Sequence, residues 1–174
     1  MFWFNIIKSF IGIFREGQTP AQVAGGFALG TLIGFSPMMT LQGLIVWLAI
    51  LVLDVNIAAA LLALSLCKLV AYIIDPLFHT MGYFVLTRVD SLQGLWTTLY
   101  NAPIAPLTRF NNTVVMGSFL FALILFVPVY VGMKHAVVAY RTHIHSRFEQ
   151  WKVYKILNQS KFVTLYRKIR DWKG

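Results

Sequence analysis

Hydrophobic residues make up 58% of this 174-residue chain and charged residues only 12%, which excludes a large soluble module and leaves a small helical membrane protein. The formal net charge is +9, and ten of the fifteen Lys and Arg residues lie from Lys134 onward, opposed only by Glu149 and Asp171. Beside an apolar span, such a basic end points to the cytoplasmic face and to anionic lipid before nucleic acid.

Wound as a helix, residues 2 to 15 divide into two faces. One carries Phe2, Trp3, Phe4, Ile6, Ile7, Phe10, Ile11, Ile13 and Phe14, and the other Asn5, Lys8, Ser9, Gly12 and Arg15. This pattern predicts an amphipathic helix at the headgroup boundary. Lys8 interrupts the apolar run and no small-residue cleavage site follows, so the segment does not read as a signal peptide.

Gly17 to Leu53 carries no charge. A bilayer core about 30 Å thick is crossed by about 20 apolar helical residues, so the run is too long for one crossing and its halves are short for two. It is interrupted by Gly34-Phe35-Ser36-Pro37, and a proline break at membrane depth is tolerated only where protein or a wet cavity satisfies the freed backbone groups. The run therefore predicts a broken hairpin, with Ser36, Pro37 and Gly43 at its break. Thr19-Pro20-Ala21-Gln22 marks its start, with Thr19 as N-cap, Pro20 at the first helical position and Gln22 closing a capping box. Gly26, Gly30 and Gly34 recur every four residues and give a smooth face. That face suits tight packing within the fold, a dimer interface or a permeant-lining surface.

The second arm, Leu41 to Leu53, ends at the polar turn Asp54-Val55-Asn56, which can cap a helix from Ile57 to Ile74. Asp75-Pro76 then predicts a second break, followed by a shorter arm from Leu77 to Thr87. Pro37 to Gly43 and Pro76 to Gly82 share one pattern, Pro and Gly six apart, and paired interruptions of this kind point to a transporter-like core. Cys67, the single cysteine, lies within this apolar stretch and reads as a small buried hydrophobe, without an intramolecular disulfide or a Cys-based metal cluster. Ser91 to Asn112 is less apolar, with Leu92, Leu95, Trp96, Leu99 and Tyr100 in a short amphipathic pattern, and reads as an interfacial loop. Thr113 to Gly132 is the one clean span. Beyond Lys134, apolar residues at helical spacing alternate with basic ones. Lys152, Lys155, Lys161, Arg167, Lys168 and Arg170 form the candidate surface for anionic lipid.

One local constellation stands out. Ser65, Lys68, Tyr72, Asp75 and His79 are spaced three, four, three and four apart, which places a polar stripe on one helical face. An ionisable group inside a membrane faces a bundle interior, a wet cavity or a partner charge, so Lys68 with Asp75 is a functional candidate. The alternative is that Lys68 snorkels while Asp75 caps a helix beginning at Pro76. No nucleophile elbow, phosphate-binding glycine loop, zinc-type His-Glu-x-x-His helix or close carboxylate pair is present in the sequence. The expectation is therefore a non-enzymatic protein without metal or cofactor.

Gly26-x-x-x-Gly30-x-x-x-Gly34-Phe35-Ser36-Pro37, followed by Leu41-Gln42, Asn56 and Asp75-Pro76-Leu77, resembles a bacterial family called domain of unknown function two thousand and sixty-two. The resemblance covers roughly residues 15 to 90, and Asp75-Pro76 stands where that family usually has Asn-Pro. With its basic tail the whole chain looks like a subgroup of small inner-membrane proteins often encoded beside a large AsmA-like envelope protein implicated in phospholipid transport. The resemblance implies that partner and no catalytic residue.

The expected architecture is all-α. It is a multi-pass membrane protein with two Pro/Gly-broken hairpins, re-entrant or spanning, one clean span and amphipathic interfacial helices at both ends. Its parts are an interfacial helix (1–16), a membrane domain (17–133) and a basic cytoplasmic tail (134–174). The expected location is the bacterial inner membrane with both termini cytoplasmic. The expected role is a non-enzymatic subunit assisting an AsmA-like partner in phospholipid transport. The alternative is a stand-alone transporter or channel for a small solute, with the polar stripe as its path. Binding to nucleic acid is not expected, and a homo-oligomer is open.

Overall fold

A computed structural model describes residues 18–144. The amphipathic segment 2–15 and the lipid-binding candidates Lys152, Lys155, Lys161, Arg167, Lys168 and Arg170 lie outside the described residues. Among the described residues the fold is all-helical, without strands. Five α-helices follow one another: α1 (Pro20–Phe35), α2 (Leu41–Val52), α3 (Ile57–Thr87), α4 (Gln93–Asn101) and α5 (Thr113–Ala139). Short 3-10 turns at Asp90–Leu92 and Ala105–Thr108 flank α4, and a π-helical turn, Tyr140–Ile144, follows α5.

Local chemistry sets the helix starts. The Thr19 hydroxyl accepts from the Gln22 N–H while the Gln22 side chain accepts from the Thr19 N–H, a capping box with Pro20 in the first turn. Asn56 caps α3 through the Ala59 N–H at 2.7 Å, and Asn112 caps α5 through the Val115 N–H at 3.1 Å. Thr19→Ala should cost about 1 kcal/mol, the usual worth of such a cap, measured as a lower midpoint of denaturation in detergent. Equal midpoints would show that tertiary contacts alone hold the start of α1.

α1, α3 and α5 form the core. Ala59 of α3 packs with Val23 of α1 and Val137 of α5 at one end of the bundle. Leu32 and Phe35 of α1, Ala71 and Phe78 of α3 and Ala122 of α5 pack farther along. α1 therefore runs parallel to α3, and α5 antiparallel to both. Gly26, Gly30 and Gly34 lie against α3, at Asn56, at Ala60, and at Leu64 with Cys67 respectively, so close that an added Cβ would strike backbone at the first two and the Cys67 Cβ at the third. This is the close approach that small residues permit between helices. The two starts are further tied by the Asn56 N–H to the Gln22 carbonyl at 3.0 Å and by the Gln22 amide to Asp54 at 2.5 Å.

The second break is corrected. α3 continues unbroken from Ile57 to Thr87, with Pro76 inside it and Gly82 near its end. A helix start after a proline is favoured where a residue can cap it. Thr40 does this after Pro37, its hydroxyl accepting from the Gly43 N–H at 3.3 Å. After Pro76 the nearest such residue, Thr80, instead donates to the Pro76 carbonyl at 3.0 Å, a bond made within a continuing helix. Gly82 marks a close crossing, its backbone lying on Thr113 and Gly117 of α5. Asp75 therefore does not cap a new helix.

α3, with 31 residues, and the segment from Thr113 to Thr142, with 30, are long and apolar enough to cross a membrane. Much of their outer surface is large and apolar: Leu69, Ile73, Leu77 and Phe84 on α3 and Ile124, Val127 and Val131 on α5 are exposed. α2, seated on α1, exposes Leu44, Ile45, Leu48, Leu51 and Val52.

Candidate functional site

α1 ends because Pro37 cannot continue it and forces the preceding residue out of helical geometry. Ser36 is extended, at φ −86° and ψ 158°, and its N–H still reaches the Leu32 carbonyl at 3.2 Å. The chain turns through Met38 and Met39, the latter 81% exposed, and re-enters a helix at Leu41. The Thr40 hydroxyl donates to the Pro37 carbonyl at 2.9 Å, so one side chain closes the turn and caps α2. Gly43 fits here because its Cα lies over the Met38 carbonyl.

Two groups from distant parts of the chain, the Lys68 ammonium and the Thr108 carbonyl, reach this break and the first turn of α2. Lys68, half-buried on α3, donates from Nζ to the Ser36 carbonyl at 3.3 Å. Gln42, on the first turn of α2, donates from Nε2 to the Thr108 carbonyl at 2.9 Å. That carbonyl is presented by the 3-10 turn before Arg109, which sits in the left-handed region at φ 53°. Ser36 itself is 2% exposed, and its Oγ has no hydrogen-bond partner; the Gln42 Oε1 is likewise buried and unpartnered. Buried polar atoms are nearly always satisfied, so two orphans at one break set it apart from the rest of the core.

The polar stripe does not act as one unit. Ser65 bonds back to the Leu61 carbonyl of its own helix at 2.8 Å, and Tyr72 is 79% exposed. His79 meets the Thr113 hydroxyl at 2.7 Å and stacks on Tyr83. Asp75 is half-buried and has no hydrogen bond or ion pair among the described residues. Direct pairing of Lys68 with Asp75 is therefore corrected. The two residues are about 10 Å apart along the helix axis, and the lysine turns to the nearer acceptor that the broken α1 leaves free. Among the described residues no group of three or more His, Cys, Asp or Glu could hold a metal ion.

Sequence reasoning placed Ser36, Pro37 and Gly43 at the break and Lys68 in the stripe without connecting them. It gave Gln42 no role. A polar amide in an uncharged apolar run was the available signal, since such a group needs a partner. The aromatic cluster below the break was also missed. Phe35, Phe78 and Phe121 meet with centroids 5.3 to 5.8 Å apart, and Phe35 is the residue that precedes Ser36.

No solved structure matches the chain significantly. A protein from Treponema pallidum (strain Nichols), described as an uncharacterized protein, is 24% identical over 158 residues, covering 89% of this chain and 97% of its own length. The family model described as "Uncharacterized protein conserved in bacteria (DUF2062)" matches residues 6–146, which takes in the break, all five helices and the turn after α5, and the chain belongs to that family.

Proposed function

We propose that the chain is a bacterial inner-membrane protein and serves, without chemistry of its own, as the membrane subunit of a phospholipid-handling assembly whose large partner is AsmA-like. The observation that carries the membrane placement is the apolar outer surface of α2, α3 and α5 around a core held by glycine contacts, since lipid-facing surface and small-residue interfaces go together in bilayers. α3 and α5 then cross, about 46 and 40 Å long at 1.5 Å per residue. α1 and α2 form a re-entrant hairpin, because at about 24 and 18 Å each is shorter than the core. The partner is supported by the likeness of the chain to small inner-membrane proteins encoded beside AsmA-like bridges. The alternative, a lone solute channel along the polar stripe, is less supported because Ser65, Tyr72 and His79 are exposed rather than enclosed.

The contacts of α5 with the starts of α1 and α3 put Gln18 and Thr142 at the same end of the bundle, and the Arg141 side chain reaches the Gln18 carbonyl. Both belong on the cytoplasmic side, where the basic residues concentrate. In a Cys67→Ala background, Thr98→Cys should react with an impermeant reagent added to intact spheroplasts. Gln18→Cys and Thr142→Cys should react only after permeabilisation, and the reverse pattern would refute the orientation. Crosslinking from native membranes should then recover a large envelope protein. Recovery of none, together with solute flux by the purified chain alone, would replace the subunit with the channel.

A further inference from the structure

We infer that the break between α1 and α2 is a binding site for a phosphate group, held by the Lys68 ammonium, the Ser36 hydroxyl and the first N–H groups of α2. Lys68 has no carboxylate within ion-pair distance among the described residues and uses one donor on the Ser36 carbonyl, leaving two of its three N–H protons unassigned. A cation in an apolar bundle pairs with another charge or with backbone carbonyls, and among the described residues Lys68 has the Ser36 carbonyl and no carboxylate. The carboxylate nearest along α3, Asp75, is two turns away and does not reach it.

The second observation is independent of the charge. The Ser36 Oγ is buried and unpartnered on the same residue whose carbonyl fixes the ammonium. The other buried hydroxyls among the described residues, Thr31, Thr40 and Ser118, each donate to a backbone carbonyl, so this one is a donor waiting for an acceptor. α2 adds the third element. It is a 12-residue helix beginning at the break, with Thr40 using its Oγ on Gly43 and its carbonyl on Leu44. Leu41 and Gln42 therefore keep their N–H groups free of the helical ladder, at the positive end of the helix dipole where phosphate binds. Met38 and Met39 expose the outer side of the turn above the buried Ser36 hydroxyl, and the exposed Leu44, Ile45 and Leu48 continue away from it along α2 as a track suited to acyl chains.

The phosphate is that of a phospholipid headgroup or free inorganic phosphate, and the lipid source rests on the membrane role proposed above. The test uses the purified full chain in detergent, titrated by native mass spectrometry with a short-chain phosphatidylethanolamine. That lipid is zwitterionic, so net charge does not draw it to the basic tail. Diacylglycerol of the same chains and inorganic phosphate serve as the other probes. Wild type should retain the phospholipid well above diacylglycerol. Lys68→Met should weaken it about tenfold, the worth of a charge-assisted bond to phosphate, while Lys68→Arg keeps most of the binding.

Ser36→Ala separates a ligand role from a structural one. It should lower phospholipid affinity severalfold while leaving thermal stability unchanged or higher, because it removes an unsatisfied buried hydroxyl. Equal phospholipid retention by wild type, Lys68→Met and Ser36→Ala would overturn the site while leaving the membrane role intact. Binding of inorganic phosphate alone, lost in Lys68→Met, would uphold the site and remove the lipid source. Retention of neither probe by wild type would overturn both.

Discussion

Leucine at Gly82 or Gly117 is expected to leave little folded protein. A Cβ at Gly82 would meet the Thr113 carbonyl oxygen and lie 2.7 Å from its carbon and 2.9 Å from the Gly117 nitrogen; one at Gly117 would meet the Phe78 carbonyl and the Gly82 nitrogen. These obstacles are backbone, so no rotamer change relieves them and α3 must move off α5. Overpacking a tight core costs about 1–3 kcal/mol where side chains can give, and here the loss should reach or exceed the top of that range. Against a total stability of about 5–15 kcal/mol, folded yield on size exclusion in detergent should fall sharply. Gly94 on α4 is the control. Nothing lies within 4 Å of a Cβ there, and Gly94→Ala, in the first turn of α4 rather than its interior, should stabilise by less than about 0.5 kcal/mol through helix propensity. Wild-type unfolding of Gly82→Leu would mean that α3 and α5 do not cross at these glycines.

The second large effect is at Phe78. Its ring is fully buried and lies 5.8 Å from Phe35 and 5.3 Å from Phe121, so it touches both neighbours of α3. In water such a truncation costs about 3–5 kcal/mol. In a bilayer or micelle the unfolded reference is also apolar, so the transfer contribution shrinks and the lost dispersion contacts and cavity remain. Phe78→Ala should therefore cost about 3 kcal/mol, at the low end, with Phe78→Leu intermediate. Both are read from unfolding in mixed micelles of increasing denaturing detergent. Unchanged unfolding of the alanine variant would deny that the three core helices meet at this ring.

Local signals foretold local structure. Thr19-Pro20-x-Gln22, Asn56 and the start at Thr113 were legible because a cap is a contact within four residues. The glycine ladder was legible as a packing face, but its partner was not. That Asn56, Ala60 and Leu64 recur at the same period on α3 has meaning only once the two helices are set parallel. Pro76 misled because the sequence resemblance to Pro37 is real while the consequence depends on neighbours: α5 holds the later segment together, and no Thr40-like cap is available to restart it. The break as a site was half legible. Ser36 and Pro37 announced it, whereas Lys68 approaches from 32 residues away, and no spacing rule on one helix could connect it to a carbonyl on another.

The seat of α1 bears on biogenesis. Its 16 residues are too few to cross a bilayer alone, and the glycines that fit it to α3 give it little to offer lipid. The groove that receives it is walled by α3 and α5, which are synthesised later. With the membrane placement proposed above, α1 is made before either wall of its groove and reaches its final place only once two longer helices have been laid side by side. A nascent chain stopped before Thr113 would offer α1 and α2 half a groove, without the Phe121 ring that meets Phe35.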